Sequence, residues 1–340
     1  MKATFVYPNS RRDVLAGDEP DTQLHGALYL HEHGIEVAFH DPLLTRRALP
    51  RPLARLAWTA RELTVPVEVG RTDVVFTPLA ALLPLAARAR ALPVVAINFG
   101  LNLIWRRASP PRRSLLRASL RSAARVVCLG ESQRTELVET AHLDPRRVLT
   151  LPIPVDDRYF APATGRGDSV LAVGKDLARD YGTLLAATAS LPAEVRIVAH
   201  PRNLTGLVPP ANALVLRDLP YASLRAEYGR AACVVLPQRS DAYPFGSEGG
   251  GLTALLEAMA CARPVVATER AILHDYVEDG VEAILVPPED PQALRAAVER
   301  VLGDPELARS LGEAARARVE RSHTSRAFAA RLAPVLRSVV

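Results

Sequence analysis

The chain reads as an α/β protein of two Rossmann-like parallel-sheet domains facing across a cleft. Three observations carry this reading. Short, β-branched apolar runs alternate with stretches of helical periodicity along nearly all 340 residues. The alternation breaks once, at a proline-rich stretch over residues 151–168, and then restarts. A chain of 340 residues also exceeds what one hydrophobic core ordinarily serves.

In the first part, residues 3–7 read as a strand, 22–33 as a helix stopped by Gly34, and 36–39 as a second strand. Further strands are expected at 73–77, 93–98 and 125–129, separated by helices near 53–63, 79–91, 112–124 and 132–141. Strand–helix repetition of this kind implies right-handed crossovers and a parallel sheet. After the proline-rich stretch, strands are expected at 169–173, 195–199, 213–216, 232–237, 264–268 and 283–286. Helices are expected at 181–190, 221–230, 252–261, 274–278, 291–302, 305–322 and 324–336. In open sheets of this type ligands bind outside the carboxyl ends of the strands.

Composition excludes several classes. Hydrophobic residues make up 49% and charged residues 23%, as in an ordinary globular protein. Aromatics at 5% are too thin for base-stacking platforms, and nucleic acid is not an expected partner. Cys128, Cys233 and Cys261 sit in apolar runs without paired spacing, which reads as buried free thiols in a reducing compartment. The sequence from Met1 to Tyr7 enters a strand directly, so no signal peptide is read, and no apolar run is long enough to span a bilayer. The expected location is cytoplasmic, with association to a membrane surface left open.

Charge is unevenly placed. Residues 1–150 carry 21 basic and 14 acidic side chains, or +7, and the remainder carries 21 and 23, or −2. Only Lys2 and Lys175 among the 42 basic residues are lysines. Residues 112–124 read as an amphipathic helix with Leu116, Leu120 and Ala123 on one face and Arg113, Arg117 and Arg121 on another, preceded by Trp105, Arg106 and Arg107. Such a row either docks on an anionic bilayer or is simply a solvated face.

The densest chemical signal runs from Ser247 to Thr268. Gly249, Gly250 and Gly251 allow close backbone approach, and the helix that follows offers free N–H groups at Leu252 and Thr253, suited to a phosphate. Glu257 is the one charge inside that apolar helix. An unpaired carboxylate there costs several kcal/mol, roughly 2 or more, unless donors reach it. A ribose diol could supply them; a salt bridge to Arg263 is the structural alternative. The second signal is the stretch from Ser169 to Leu185, where Gly174 ends a strand and Lys175 and Arg179 follow. Two cations beyond a strand end are placed to hold a diphosphate and stabilise it as a leaving group, unless the loop is merely solvated.

These residues resemble the retaining nucleotide-sugar glycosyltransferases of the GT-B fold, in the large fourth family (glycosyl transferases group 1). The likeness runs through Leu24, Gly26, Leu28, Leu30 and Gly34-Ile35-Glu36-Val37, then Ala124 to Ser132 and Leu151 to Asp156. It continues through Val173-Gly174-Lys175, Arg179-Asp180-Tyr181, Leu255 to Ala260, Arg263 to Val266, Tyr276 to Val281 and Leu285 to Pro288. The resemblance implies that residues 1–155 bind the acceptor and 168–323 the nucleotide sugar, with a C-terminal helix at 324–340 packing back on the first domain. It implies Glu257 as ribose ligand, Lys175 and Arg179 as diphosphate ligands, and the amides of Gly251 to Thr253 as a cradle for the distal phosphate.

Two departures accompany it. The family has two glutamates separated by seven residues, the first reaching the transferred sugar; that place falls on Gly249, with Glu248 one residue further out. Glu248 takes the role if the glycine run carries an extra residue, and Asp241 is the substitute otherwise. Many members carry a histidine after the third or fourth strand, where this chain has Asn98; His200 ends a second-half strand, and Asn9 follows the first. For Asn9 and Asn98 an acceptor-side role stands beside a plain turn role. The expected activity is transfer of a sugar from a nucleoside-diphosphate sugar to a glycan, lipid or small-molecule acceptor with retention. No cofactor is expected, and cationic side chains replace a divalent metal. A non-catalytic binding or partner protein and a sugar-nucleotide epimerase are the rival readings.

Overall fold

The computed structural model describes residues 1–40, 51–165 and 167–340. Arg46 and Arg47 of the basic first 150 residues and Arg166 of the proline-rich stretch lie outside the described residues. The chain divides into two compact units, Met1–Pro152 with Ser325–Val340, and Ile153–Thr324.

Among the described residues the first unit holds a six-stranded sheet, and every pairing is parallel. Its strands are β1 (Lys2–Val6), β2 (Glu36–His40), β3 (Val74–Thr77), β4 (Val94–Ile97), β5 (Arg125–Cys128) and β6 (Val148–Thr150), in the order β2-β1-β3-β4-β5-β6. Side chains alternate across a strand, so both faces need cover. Val6, Val75 and Val94 pack against Val65, Leu83 and Ala87. Ala96, Val126 and Cys128 pack against Trp105, Leu116, Leu120 and Leu137. Phe5 and Phe76, out of phase with these, have ring centroids 4.7 Å apart. His25 lies 6.0 Å from Phe76 and 6.3 Å from Phe328 of the C-terminal helix Ser325–Arg337.

The second unit repeats the architecture with β7 (Ser169–Val173), β8 (Glu194–Val198), β9 (Ala213–Leu216), β10 (Ala231–Leu236), β11 (Val265–Thr268) and β12 (Ile284–Val286). The order is β12-β11-β10-β7-β8-β9, again parallel throughout. Chain order reverses between β7 and β10, and the crevice outside the carboxyl ends at such a reversal is where open α/β sheets receive ligands. The first sheet reverses between β1 and β3, so its strand order differs from the second. From Ile153 on, the proline-rich stretch belongs to the second unit, and its Val155 and Phe160 are fully buried.

Residues 22–33 do not form the expected continuous α-helix. Two 3-10 segments, Asp21–Leu24 and Ala27–His33, are separated by left-handed backbone at His25 and Gly26. The burial repeat is three, with Leu24, Ala27 and Leu30 buried, while Leu28 is 42% exposed. A Cβ on Gly26 would lie 2.7 Å from Ser325 O and 2.8 Å from Ala329 N, so only glycine lets the C-terminal helix approach this closely. The helix expected at 274–278 is a 3-10 turn at Ala271–Asp275. Strand β6 and the helix Leu101–Arg107 are additions that the periodicity did not mark.

The basic helix is Pro110–Ser122, and its arginines are largely engaged within the unit. Arg113 donates to Trp105 O at 3.1 Å and Arg106 O at 2.7 Å, Arg117 to Ala141 O at 3.1 Å, and Arg121 to His142 O at 3.1 Å. The guanidinium carbons of Arg113 and Arg117 also lie 5.9 and 5.2 Å from the Trp105 ring centroid. The row is therefore packing for the unit rather than a purely solvated face. No helix among the described residues is long and apolar enough to cross a membrane.

Gly26→Ala is expected to cost about 2–4 kcal/mol, from the left-handed backbone at φ +70° and the clash with Ser325 and Ala329. Urea denaturation checks this; a midpoint equal to wild type would mean that the C-terminal helix does not need the close approach.

Candidate functional site

Two loops meet beyond the carboxyl ends of β7 and β10. Gly174 to Asp180 follows β7, and Pro237 to Gly251 follows β10. Their backbones pair: Asp180 N donates to Pro237 O at 3.1 Å and Arg239 N to Ala178 O at 2.8 Å. Asp176 fastens them through its side chain, with Oδ1 accepting from Ala178 N at 2.8 Å and Oδ2 from Ser247 N at 3.2 Å. A Cβ on Gly250 would come within 2.8 Å of Asp176 Cγ, which is why the second loop is built of glycine at that point.

Arg179 folds back beneath this junction. It is 5% exposed, and a Cβ on Gly174 would overlap the space its guanidinium occupies. Its Nε and Nη1 are buried and have no hydrogen-bond partner among the described residues. Burial lowers its pKa from the ordinary arginine range, an effect that Tyr181, Tyr228 and Asp176 oppose and Arg270 reinforces. A buried, unsatisfied cation is costly and calls for an anion. Lys175, by contrast, is exposed at the start of the same loop.

The glycine loop is braced from below. Gln238, 2% exposed, donates from Nε2 to Gly250 O at 2.5 Å, and a Cβ on Gly251 would meet Gln238 Oε1 at 3.0 Å. Gly251 has φ +99° and precedes the helix Leu252–Ala260, which no side chain caps. Leu252 is buried and Thr253 exposed at its first turn. Glu248 is buried in the loop. Asp241, half-exposed, accepts from Arg270 Nε at 2.8 Å and Ala271 N at 2.9 Å, so both its oxygens are engaged. His200 caps the 3-10 turn Pro201–Leu204, accepting from Arg202 N at 3.2 Å.

Glu257 is 4% exposed on the Leu252–Ala260 helix. Burial pushes its carboxyl up to about 7, against the lowering effect of a hydrogen bond from Tyr228. Arg263 is not its partner; that guanidinium donates to Gly229 O at 2.7 Å and Gly165 O at 3.2 Å.

In the first unit, Asn98 is fully buried and engaged. Its Oδ1 accepts from Leu101 N at 2.7 Å and Gly100 N at 3.1 Å, and its Nδ2 donates to Asn102 Oδ1 at 2.7 Å. It caps the turn into the Leu101–Arg107 helix. Asn9 is exposed just past β1.

Asp176, Gln238, Tyr228 and Arg270 were not singled out by their types. Asp176, Gln238 and Arg270 lie within three residues of a strand's carboxyl end, the place where loop residues reach a ligand, and that position is a readable signal.

Two parallel sheets of this topology define a GT-B protein. The chain belongs to the group 1 glycosyl transferases: residues 11–159 match the Glycosyltransferase Family 4 model, and 207–318 match Glycosyl transferases group 1. It is 33% identical over 243 residues to a D-inositol 3-phosphate glycosyltransferase of Kineococcus radiotolerans, covering 58% of this chain and 54% of that one. It is 29% identical over 268 residues to a GDP-mannose-dependent alpha-(1-6)-phosphatidylinositol monomannoside mannosyltransferase of Mycolicibacterium smegmatis, covering 70% and 68%. The match spans about half the length of the inositol phosphate relatives, 54% and 47% for two of them. Sucrose-phosphate synthase from Thermosynechococcus elongatus shares the fold at a TM-score of 0.76 and 20% identity, covering 100% and 99% of the two chains. Anabaena HepE, solved with UDP and glucose, does so at 0.72 and 15%, covering 98% and 99%.

The raised Glu257 carboxyl fixes the sign of one pH effect. The folded state binds the proton more tightly than the unfolded chain, so this group lowers stability as pH rises from about 4.5 to about 7. Glu257→Gln is expected to remove a decline of about 3 kcal/mol across that window. Equal pH slopes of the urea midpoint in the two proteins would refute this.

Proposed function

We propose that the chain transfers a hexosyl group from a nucleoside-diphosphate sugar to an acceptor with retention of anomeric configuration. The observation that carries this is the buried Arg179 guanidinium, whose Nε and Nη1 lack partners among the described residues at the reversal point of the second sheet. A diphosphate would satisfy those groups. Lys175 adds an exposed cation, and the amides of Gly251 and Thr253 add donors at an uncapped helix start, those of Gly250 and Leu252 being engaged by Ser247 O at 2.9 Å and Gly249 O at 3.3 Å. Glu257 takes the ribose hydroxyls and Glu248 the transferred sugar. Asp241 acts by setting Arg270.

In this reading the bond from the anomeric carbon to the diphosphate oxygen breaks with its electron pair on that oxygen. Arg179, Lys175 and the helix start stabilise the charge that develops. The acceptor hydroxyl adds on the face the diphosphate vacates, and its proton passes to the departing phosphate.

Donor base and acceptor follow the relatives only as proposals. One relative is named GDP-mannose-dependent, and HepE was solved with UDP, so both bases enter the test. A phosphorylated polyol acceptor fits both the inositol phosphate names and the +7 charge of residues 1–150. Asn9, exposed past β1, is the available acceptor-side amide, since Asn98 is committed to its cap. Location in the cytoplasm is part of the proposal. A second reading, a binding protein without turnover, is favoured by one feature: the family's first glutamate position is Gly249.

The test is release of UDP or GDP from a panel of nucleotide hexoses with inositol phosphates as acceptors, by wild type, Arg179→Met, Glu257→Ala and Glu248→Ala. Arg179→Met is expected to lose at least about 100-fold in turnover while the ligand-free protein melts no lower than wild type, because an unpaired buried cation has been removed. Undiminished turnover would sink the diphosphate assignment. Turnover is also expected to survive EDTA. Nucleotide binding without product would favour the second reading, and donor conversion without acceptor would favour an epimerase.

A further inference from the structure

Tyr228 ends the Tyr221–Arg230 helix fully buried, and its ring meets Phe160 edge-on at 5.8 Å. Its hydroxyl donates to Glu257 Oε2 at 2.8 Å and lies 3.4 Å from Ala254 O. A phenol has one proton to give. The shorter contact to the carboxylate takes it when Glu257 is ionised, and the carbonyl remains the weaker alternative when it is not.

We propose that Tyr228 is a positioning residue for donor binding, fixing one oxygen of the Glu257 carboxylate and favouring its anion, so that the other oxygen is held for a hydroxyl pair. The inference rests on the ribose role given to Glu257 above.

The surroundings of Glu257 leave this task to Tyr228. On its own helix and just beyond it, the nearest titratable group is the Cys261 thiol, pushed up to about 12 chiefly by burial and then by Glu257 itself, and so neutral. From the Pro305–Ser322 helix, Arg316 is directed at Ala260 O, 2.8 Å away, and at the carbonyls of Asp157 and Phe160. Arg225 lies over the Tyr159 ring at 5.0 Å, and Arg263 holds Gly229 O. Arg179 acts on Tyr228 rather than on Glu257. Burial drives the Tyr228 hydroxyl well above its ordinary range, as does the neighbouring carboxylate, so it stays a donor throughout neutral pH.

The experiment titrates Glu257 directly, by carboxyl-carbon NMR on the full chain, with the resonance assigned by its loss in Glu257→Gln. UDP and GDP affinities are measured alongside by calorimetry from pH 6 to 9. In Tyr228→Phe, which keeps the ring against Phe160, the midpoint is expected to rise by about one to two pH units, the worth of a hydrogen bond to a charged group. Nucleotide affinity at pH 7 should fall about tenfold or more and recover at pH 9. An unmoved midpoint overturns the coupling whatever Glu257 does. An affinity loss equal at every pH also overturns it, since that is the mark of packing alone. A midpoint that moves while Glu257→Gln binds both nucleotides as wild type does refutes the ribose role, and with it the part played by Tyr228 in donor binding.

Discussion

The second unit is organised around Arg179, a buried cation whose Nε and Nη1 have no hydrogen-bond partner among the described residues. Burying a guanidinium costs several kcal/mol even after relaxation, and here the neighbours are arranged to hold it in place rather than to neutralise it. Gly174 vacates the volume that Arg179 fills. Asp176, the nearest candidate counter-charge, is occupied with Ala178 N and Ser247 N. Asp180 binds Thr183 N and Oγ1, and Asp241 binds Arg270. Asp176 and Asp241 thus tie one segment to another, and Asp180 caps the helix Tyr181–Thr188. The fully buried strands β7 and β10 give those loops a rigid base.

Much of the fold was legible because two periodicities differ so clearly. Short β-branched runs such as Val94-Val95-Ala96-Ile97 and Val265-Val266-Ala267-Thr268 fall where strands form, and the longer amphipathic segments at 291–302 and 305–322 fall where helices form. Failures came where a third period intervened. Leu24, Ala27 and Leu30 repeat every three residues, and a helical reading absorbs Leu28 that the chain leaves in solvent. Strand β6, Val148–Thr150, follows directly on the turn Pro145–Arg147, and the periodicity did not mark it. In the candidate site, glycines, lone charges and a scarce lysine were visible, whereas the residues that brace them were not. Gln238, Tyr228 and Asp176 have unremarkable types, and only folding brings them against Gly250, Glu257 and Ser247.

The basic character of the first unit also changes meaning once arginines are followed individually. Arg113, Arg117 and Arg121 satisfy backbone carbonyls at 3.1 Å or less, and Arg113 and Arg117 also cover Trp105. Their charge remains, but their stems and N–H groups are structural. At the β1–β3 reversal the titratable pair is Tyr7 and His25, whose hydroxyl and Nδ1 are 3.2 Å apart. Burial, with Arg11 adding to it, drives His25 down to about 3, so this imidazole is neutral at physiological pH and serves as a hydrogen-bonding spacer between aromatic rings.

The helix Ser325–Arg337 belongs to the first unit, yet it follows the whole second unit along the chain. Every residue of the Ile153–Thr324 unit must be synthesised before Phe328, Leu332 and Leu336 can be buried in the first unit. The amino-terminal unit therefore waits, with part of its core uncovered, for longer than the unit made after it. Domains usually mature in the order of their synthesis; in this chain the second unit can close first. The length of that interval scales with the time needed to translate the second unit, and apolar surface exposed in this way is prone to aggregate.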